Sequence, residues 1–210
     1  MFEQSDIRHL AIMVLPILSA LTVHEYAHAL TAHILGDDTA KNAGRLTLNP
    51  LPHLDFFGIL ILFLSQLAGW AKPVPINPDN FKNPAWGISL VALAGPIMNF
   101  LAALILTLGF KILYSLNFFN IIPSGLTEDI ALIVALTIFI NISLGVFNLL
   151  PLPPLDGFKA VSSFLPPRWI FLANRYNLIF FFVLLLLSVT EILSGFIMPL
   201  INFIFQLIAG

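Results

Sequence analysis

The chain has 210 residues, of which 59% are hydrophobic and only 10% charged, with a mean hydropathy of +0.96 and a formal net charge of −2. Soluble domains carry about 25% charged residues, so this composition excludes a fully water-facing surface and points to a membrane protein; it also lacks the basic patch of a nucleic-acid binder. Zero cysteines exclude disulfides and thiolate metal sites, which leaves His and carboxylate to hold any metal.

The first predicted element runs from about Leu10 to Leu35, long enough at 1.5 Å per residue to cross a bilayer with tilt. The preceding MFEQSDIRHL has no basic region of the kind that opens a signal peptide, so this helix is expected to be retained. Inside it lies HEYAHALTAH (24–33). His24 and His28 stand at i and i+4, about 40° apart on one face, where two imidazoles can reach one ion. Glu25 projects about 100° around the helix, within reach of a water but poorly placed as a third ligand. This is the H-E-x-x-H arrangement of zinc peptidases, with two His ligands and a Glu general base. Polar glue between helices, or a transporter with an intramembrane His/Glu metal or proton site, is the alternative. A transporter predicts a symmetric half-repeat, which the sequence lacks. His33 faces the opposite side and His9 lies at the outer end, so neither is a ligand candidate.

A polar Gly/Pro-rich stretch follows (36–55), then FFGILILFLSQLAGW (56–70), at about 22 Å short for a full crossing and read as re-entrant. RLTLN (45–49) and KPVPIN (72–77) alternate with period two and predict two short edge strands flanking it, where an extended substrate could pair. If 56–70 turns back, Lys41, Arg45, Lys72 and Lys82 share one side with Lys159, Arg168 and Arg175. The positive-inside rule makes that side cytoplasmic.

Two long helices come next, Trp86 to Tyr114 with Gly95–Pro96 inside, and about Ile130 to Leu150 after Glu128–Asp129. PLPPLDGFKAVSSFLPPRW leads to a last apolar run, Leu178 to about Ile208, which is one long helix or two broken near Ser194–Gly195 and Pro199. The expected fold is an all-α polytopic bundle of 4–6 transmembrane helices in a single domain (1–210), with a re-entrant, β-containing segment between the first two full crossings.

A catalytic zinc wants a third protein ligand. The candidates are Asp156, His53, Asp55, Glu128, Asp129 and Glu191. With 56–70 re-entrant, the helix that ends near Leu150 returns to the end of the bundle where His24 and His28 sit. Asp156 can then reach their depth, while Glu128 and Asp129 fall at the far end; His53 is the fallback. Pro151, Pro153 and Pro154 prevent regular helix before Asp156, and irregular backbone at membrane depth is tolerated where it lines a cavity. Asn141 and Asn148 share a helix face and Asn99 lies on the helix before. Asn148 and Asn99 are candidates for binding substrate or a developing oxyanion, against interhelical hydrogen bonding as the plainer role.

HEYAH on one helix, AGPIMNF on the next and NLLPLPPLDG after a third resemble the site-2 protease family of intramembrane zinc metalloproteases. The likeness covers roughly residues 8 to 160 and is strongest to compact bacterial members without a PDZ domain, which share stretches like GDDTAKNAGRLTLNP and GWAKPVPINP. It implies one Zn2+ per chain on His24, His28 and Asp156, and Glu25 as catalytic base. It further implies regulated intramembrane proteolysis of a transmembrane protein substrate. The enzyme would be a multi-pass protein of the cell membrane lipid bilayer, with its site recessed from the cytoplasmic side.

Overall fold

The computed structural model describes residues 4–56, 58 and 71–209. Helix α1 (Gln4–Ile34) carries a first candidate span, Ile12–Ile34. A single turn, α2 (Thr39–Asn42), follows it. Helices α3 (Pro84–Ser115) and α4 (Ser124–Asn148) are the next two candidate spans, and α8 (Ile192–Ala209) is the fourth. Between α4 and α8 lie three shorter helices, α5 (Asp156–Ser162), α6 (Pro167–Arg175) and α7 (Asn177–Val189). Among the described residues, four helices are long and apolar enough to span, which makes this a multi-pass membrane protein.

The bundle is built around α3. It packs against α1, α4 and α5, and α8 packs mainly on α4 while also touching α3. Ala103 of α3, Ile138, Ile142 and Val146 of α4, and Ile197 and Ile201 of α8 form the buried apolar seam. Small residues let the backbones approach. A Cβ at Gly145 would meet the Phe100 ring at 2.9 Å and the Pro96 carbonyl at 3.2 Å, so α3 and α4 pack closely there because position 145 has no side chain. The other faces of these helices show leucine, isoleucine and phenylalanine outward, as lipid-facing surface requires.

The end of α1 is tied down by Asp37, which has no exposed surface. Its carboxylate accepts from the Thr39 amide and hydroxyl, the Asn80 amide and the Asn77 backbone N–H, at 2.5–3.1 Å. Burial pushes its pKa up, but these hydrogen bonds together outweigh burial and hold the carboxyl below the usual carboxylate range. The α3 entrance has an ordinary cap, with Asn83 Oδ1 accepting from the Trp86 N–H.

Two expectations are corrected. No strand forms among the described residues: 45–49 and 72–77 stay irregular, and one isolated antiparallel bridge, Leu54 to Ala71, lies outside both stretches. The reason is local. Pro73 and Pro75 have no N–H to ladder with, and the carbonyls of Lys72 and Pro73 are taken by the Arg45 guanidinium at 2.5 and 3.1 Å. The Thr47 carbonyl accepts from His53 Nε2 at 2.9 Å. The second correction is that the C-terminal apolar run breaks at Thr190–Glu191, where Glu191 takes a left-handed φ of 59°, while Gly195 and Pro199 sit inside α8. The re-entrant reading of 56–70 falls almost wholly outside the described residues.

Candidate metal centre

His24 and His28 lie on consecutive turns of α1, buried, with ring centroids 4.6 Å apart. Asp156 opens α5 and is equally buried. Its Oδ2 stands 3.0 Å from His24 Nε2 and 3.1 Å from His28 Nε2, so a residue at least 128 positions from the histidine pair joins it at one point. Glycine at 157 makes this placement possible. A Cβ there would lie 2.2 Å from the Leu149 carbonyl oxygen and 2.6 Å from that of Leu150, so only glycine lets the first turn of α5 fold back onto the end of α4. Lys159, one turn on, donates to Asp156 Oδ1 at 2.9 Å and leaves Oδ2 facing the histidines.

The other imidazole nitrogens decide what this cluster can do. Asn99 is wholly buried and donates through Nδ2 to the Ala20 carbonyl at 3.1 Å and to Asn141 Oδ1 at 2.8 Å. Its Oδ1 therefore accepts, and His24 Nδ1 at 2.6 Å must be the donor. His28 Nδ1 likewise donates to the Val91 carbonyl at 2.7 Å. With both Nδ1 protons spent, the neutral rings present bare Nε2 lone pairs toward a carboxylate oxygen. Three acceptors pointed at one another in a buried site repel unless a cation lies between them. Their spacing suits one: ligands about 2.0–2.1 Å from a tetrahedral zinc are separated by roughly 3.3 Å. Two imidazoles and a carboxylate match the donor set of a catalytic zinc site, and Nδ1–H···O bonds are the supporting contacts that zinc-binding histidines ordinarily have.

The roof of the site is the α3 backbone. A Cβ at Gly95 would lie 2.5 Å from His28 Nε2 and 2.7 Å from His24 Nε2. Pro96 follows and cannot donate to the Ala92 carbonyl, loosening the helix ladder where it passes over the rings.

Glu25 is 9% exposed, and among the described residues no side chain hydrogen-bonds its carboxylate. Its charge reaches Arg45: burial pushes that guanidinium below its usual value, and the Glu25 carboxylate opposes the shift. Arg45 is 4% exposed, and its Nε has no partner among the described residues.

The remaining candidates lie elsewhere. Asn99 serves His24 and has no surface to offer a substrate. Asn148 is half-buried and donates to the Leu144 carbonyl of its own helix. His53 is bound to Thr47, Asp55 accepts from the Gly58 N–H, and the half-buried His33 pairs with Asp38 at 2.5 Å. Residues that the sequence reading passed over are Gly95, Val91 (by its carbonyl), Gly157, Lys159 and Arg45. Gly95–Pro96 was a usable signal, since a glycine before a helix-interior proline marks close backbone approach. A backbone carbonyl such as that of Val91 carries none.

The model of Peptidase family M50 matches residues 126–190, a stretch that includes Asp156. The chain is 38% identical over 195 residues to the candidate zinc metalloprotease YwhC of Bacillus subtilis, covering 90% of this chain and 85% of that protein. It is 31% identical over 198 residues to Rip2 of Mycobacterium tuberculosis, also described as a candidate zinc metalloprotease, covering 90% of this chain and 71% of the relative. Rip2 of Mycolicibacterium smegmatis is 30% identical over 196 residues. No solved structure gives a significant match.

Proposed function

The chain belongs to peptidase family M50, and on that premise we propose that it is an intramembrane zinc metalloprotease that cuts peptide bonds within or near the transmembrane segments of other membrane proteins. The observation that carries this is the convergence of His24 Nε2, His28 Nε2 and Asp156 Oδ2, all buried, with both Nδ1 protons already committed. These three side chains would hold one Zn2+. When bound, zinc supplies Lewis-acid chemistry, polarising the scissile carbonyl and acidifying water so that it can attack at neutral pH.

The chain's own residues do the rest. Glu25, next to a ligand but outside the ligand cluster, takes the proton from the attacking water and returns it to the leaving amine. Asn99 and the Val91 carbonyl keep the protons on Nδ1, so that both Nε2 atoms remain donors to the metal. Lys159 satisfies the second oxygen of Asp156. Lys41, Arg45, Lys72, Lys82 and Lys159 in the segments next to the site support a site opening toward the cytoplasm, by the positive-inside rule. On this reading the enzyme acts in regulated intramembrane proteolysis in the cell membrane, which the likeness to site-2 proteases supports.

The test is co-expression of wild type and Glu25→Gln with a candidate membrane substrate, with zinc analysis of both proteins. Zinc in both and cleavage by wild type alone is the expected result. Equal cleavage by both removes the role of Glu25, and absence of metal from both removes the site.

A further inference from the structure

The stretch from Gly157 to Thr190 contains Lys159, Arg168 and Arg175 and no acidic residue. It holds α6, PRWIFLANR, whose two arginines are seven residues apart and so share one face of the helix. Both are exposed, and among the described residues neither has a carboxylate partner. Each instead rests against an aromatic ring: Arg168 lies 5.4 Å from the Trp169 centroid, and Arg175 lies 5.9 Å from Phe171 and 5.8 Å from Tyr176. Trp169 and Phe171 are more than half exposed, while Ala173, on the opposite side from the arginines, is buried.

The surroundings fix the level of this helix. Phe164, just before α6, packs edge-on against Trp86 in the first turn of α3, at 5.3 Å. The start of α6 is therefore level with the start of a membrane span, which lies at the water boundary. Directly after α6, helix α7 is apolar all round, with Leu178, Ile179, Phe182 and Leu186 exposed, a surface stable only in hydrocarbon. The two helices meet at 69°. If α7 enters the hydrocarbon near the membrane normal, α6 lies close to the plane of the leaflet surface. Cationic residues on one face, a tryptophan beside them and an in-plane orientation are the attributes of an interfacial helix.

We propose that α6 is a docking surface for anionic phospholipid headgroups of the adjoining leaflet, received by Arg168 and Arg175. Charge complementarity selects this occupant: two guanidinium groups without acidic partners face a headgroup layer whose phosphates match their fork geometry. The contact bears on the metal centre by connectivity, because only residues 163–166 separate α6 from α5, whose first residue is Asp156.

The experiment uses the full-length protein in detergent, equilibrated with a mixture of phosphatidylglycerol and phosphatidylcholine, with retained lipids counted by native mass spectrometry. Wild type is expected to enrich phosphatidylglycerol. Each of Arg168→Gln and Arg175→Gln lowers the enrichment roughly fivefold, the factor equal to ~1 kcal/mol per basic residue near an anionic surface. Lys41→Gln, a cation outside α6, leaves it unchanged. Equal retention of the two lipids by wild type, or undiminished enrichment by the double arginine variant, overturns the proposal. A second arm reads Trp169 alone, in protein carrying Trp70→Phe and Trp86→Phe, in nanodiscs containing brominated lipid. Quenching of its emission is expected, and an unquenched tryptophan overturns the interfacial placement.

Discussion

Replacing Gly95 with alanine tests the metal centre most directly, because the added atom has a calculable position. Its Cβ would sit 2.5 Å from His28 Nε2 and 2.7 Å from His24 Nε2, roughly 1 Å inside the ~3.5 Å separation of non-bonded heavy atoms. Both rings are buried, so they must swing away together, breaking the His24–Asn99 and His28–Val91 hydrogen bonds. Each buried polar group left unpaired costs about 1–3 kcal/mol, which exceeds the ~0.5–1 kcal/mol that alanine contributes over glycine in a helix. Two of three ligands are displaced in the process. The expected outcome is a folded protein without retained zinc. The control is Gly109→Ala in the same helix, where nothing lies within 4 Å of the new atom. It should keep its zinc and gain about 0.5–1 kcal/mol. The assay is zinc per chain by mass spectrometry after purification in detergent, with chelator competition for affinity. One zinc per chain at wild-type affinity in Gly95→Ala would refute the placement of the rings beneath α3.

Three further outcomes follow from the same geometry. Asn99→Ala removes the acceptor that holds the His24 ring, and chelator competition should show zinc affinity about 10–100-fold weaker; unchanged affinity would return Asn99 to a purely interhelical role. Gly157→Ala drives a Cβ into the Leu149 carbonyl, a backbone atom that cannot step aside, so thermal unfolding should come earlier and zinc content should fall together; a stable variant that has lost only zinc would contradict this. Asp37→Asn weakens the tie at the end of α1 by about 1–3 kcal/mol at neutral pH. Because the folded-state pKa of Asp37 is depressed, its contribution is present above the unfolded value near 3.9 and is lost as pH falls through the lower folded one. The gap between wild type and variant in a denaturant series should therefore close below about pH 4, and a gap constant down to pH 3 would count against the assignment.

What could be read beforehand divides along a physical line. The long spans were legible because burial in lipid imposes an unbroken apolar run. Trp86–Tyr114 was expected and Pro84–Ser115 observed, and HEYAH was legible because i, i+4 geometry is local. Asp156 needed the additional premise of helix direction. The edge strands failed because period-two alternation says nothing about whether backbone groups are free, and here a side chain from Arg45 occupies two of the carbonyls. The break at Glu191 was missed because left-handed backbone at a non-glycine residue has no dependable signature, whereas the glycine and proline that attracted attention are accommodated inside α8. The role of Asn99 was hidden because an asparagine on an apolar helix looks the same whether it faces substrate, a neighbouring helix or an imidazole.

The 128 residues that separate His28 from Asp156 also set an order of events in the life of the chain. The histidine pair is synthesised early, but its proposed third partner emerges only after α3 and α4 have been made, and joins it only once α5 has turned back. A nascent chain therefore exposes an incomplete site, and retention of the ion reports that the bundle has closed. By mass action, free zinc at 1,000 times its dissociation constant adds about 4.1 kcal/mol to the finished state, a clasp fastened last and across the whole length of the catalytic core.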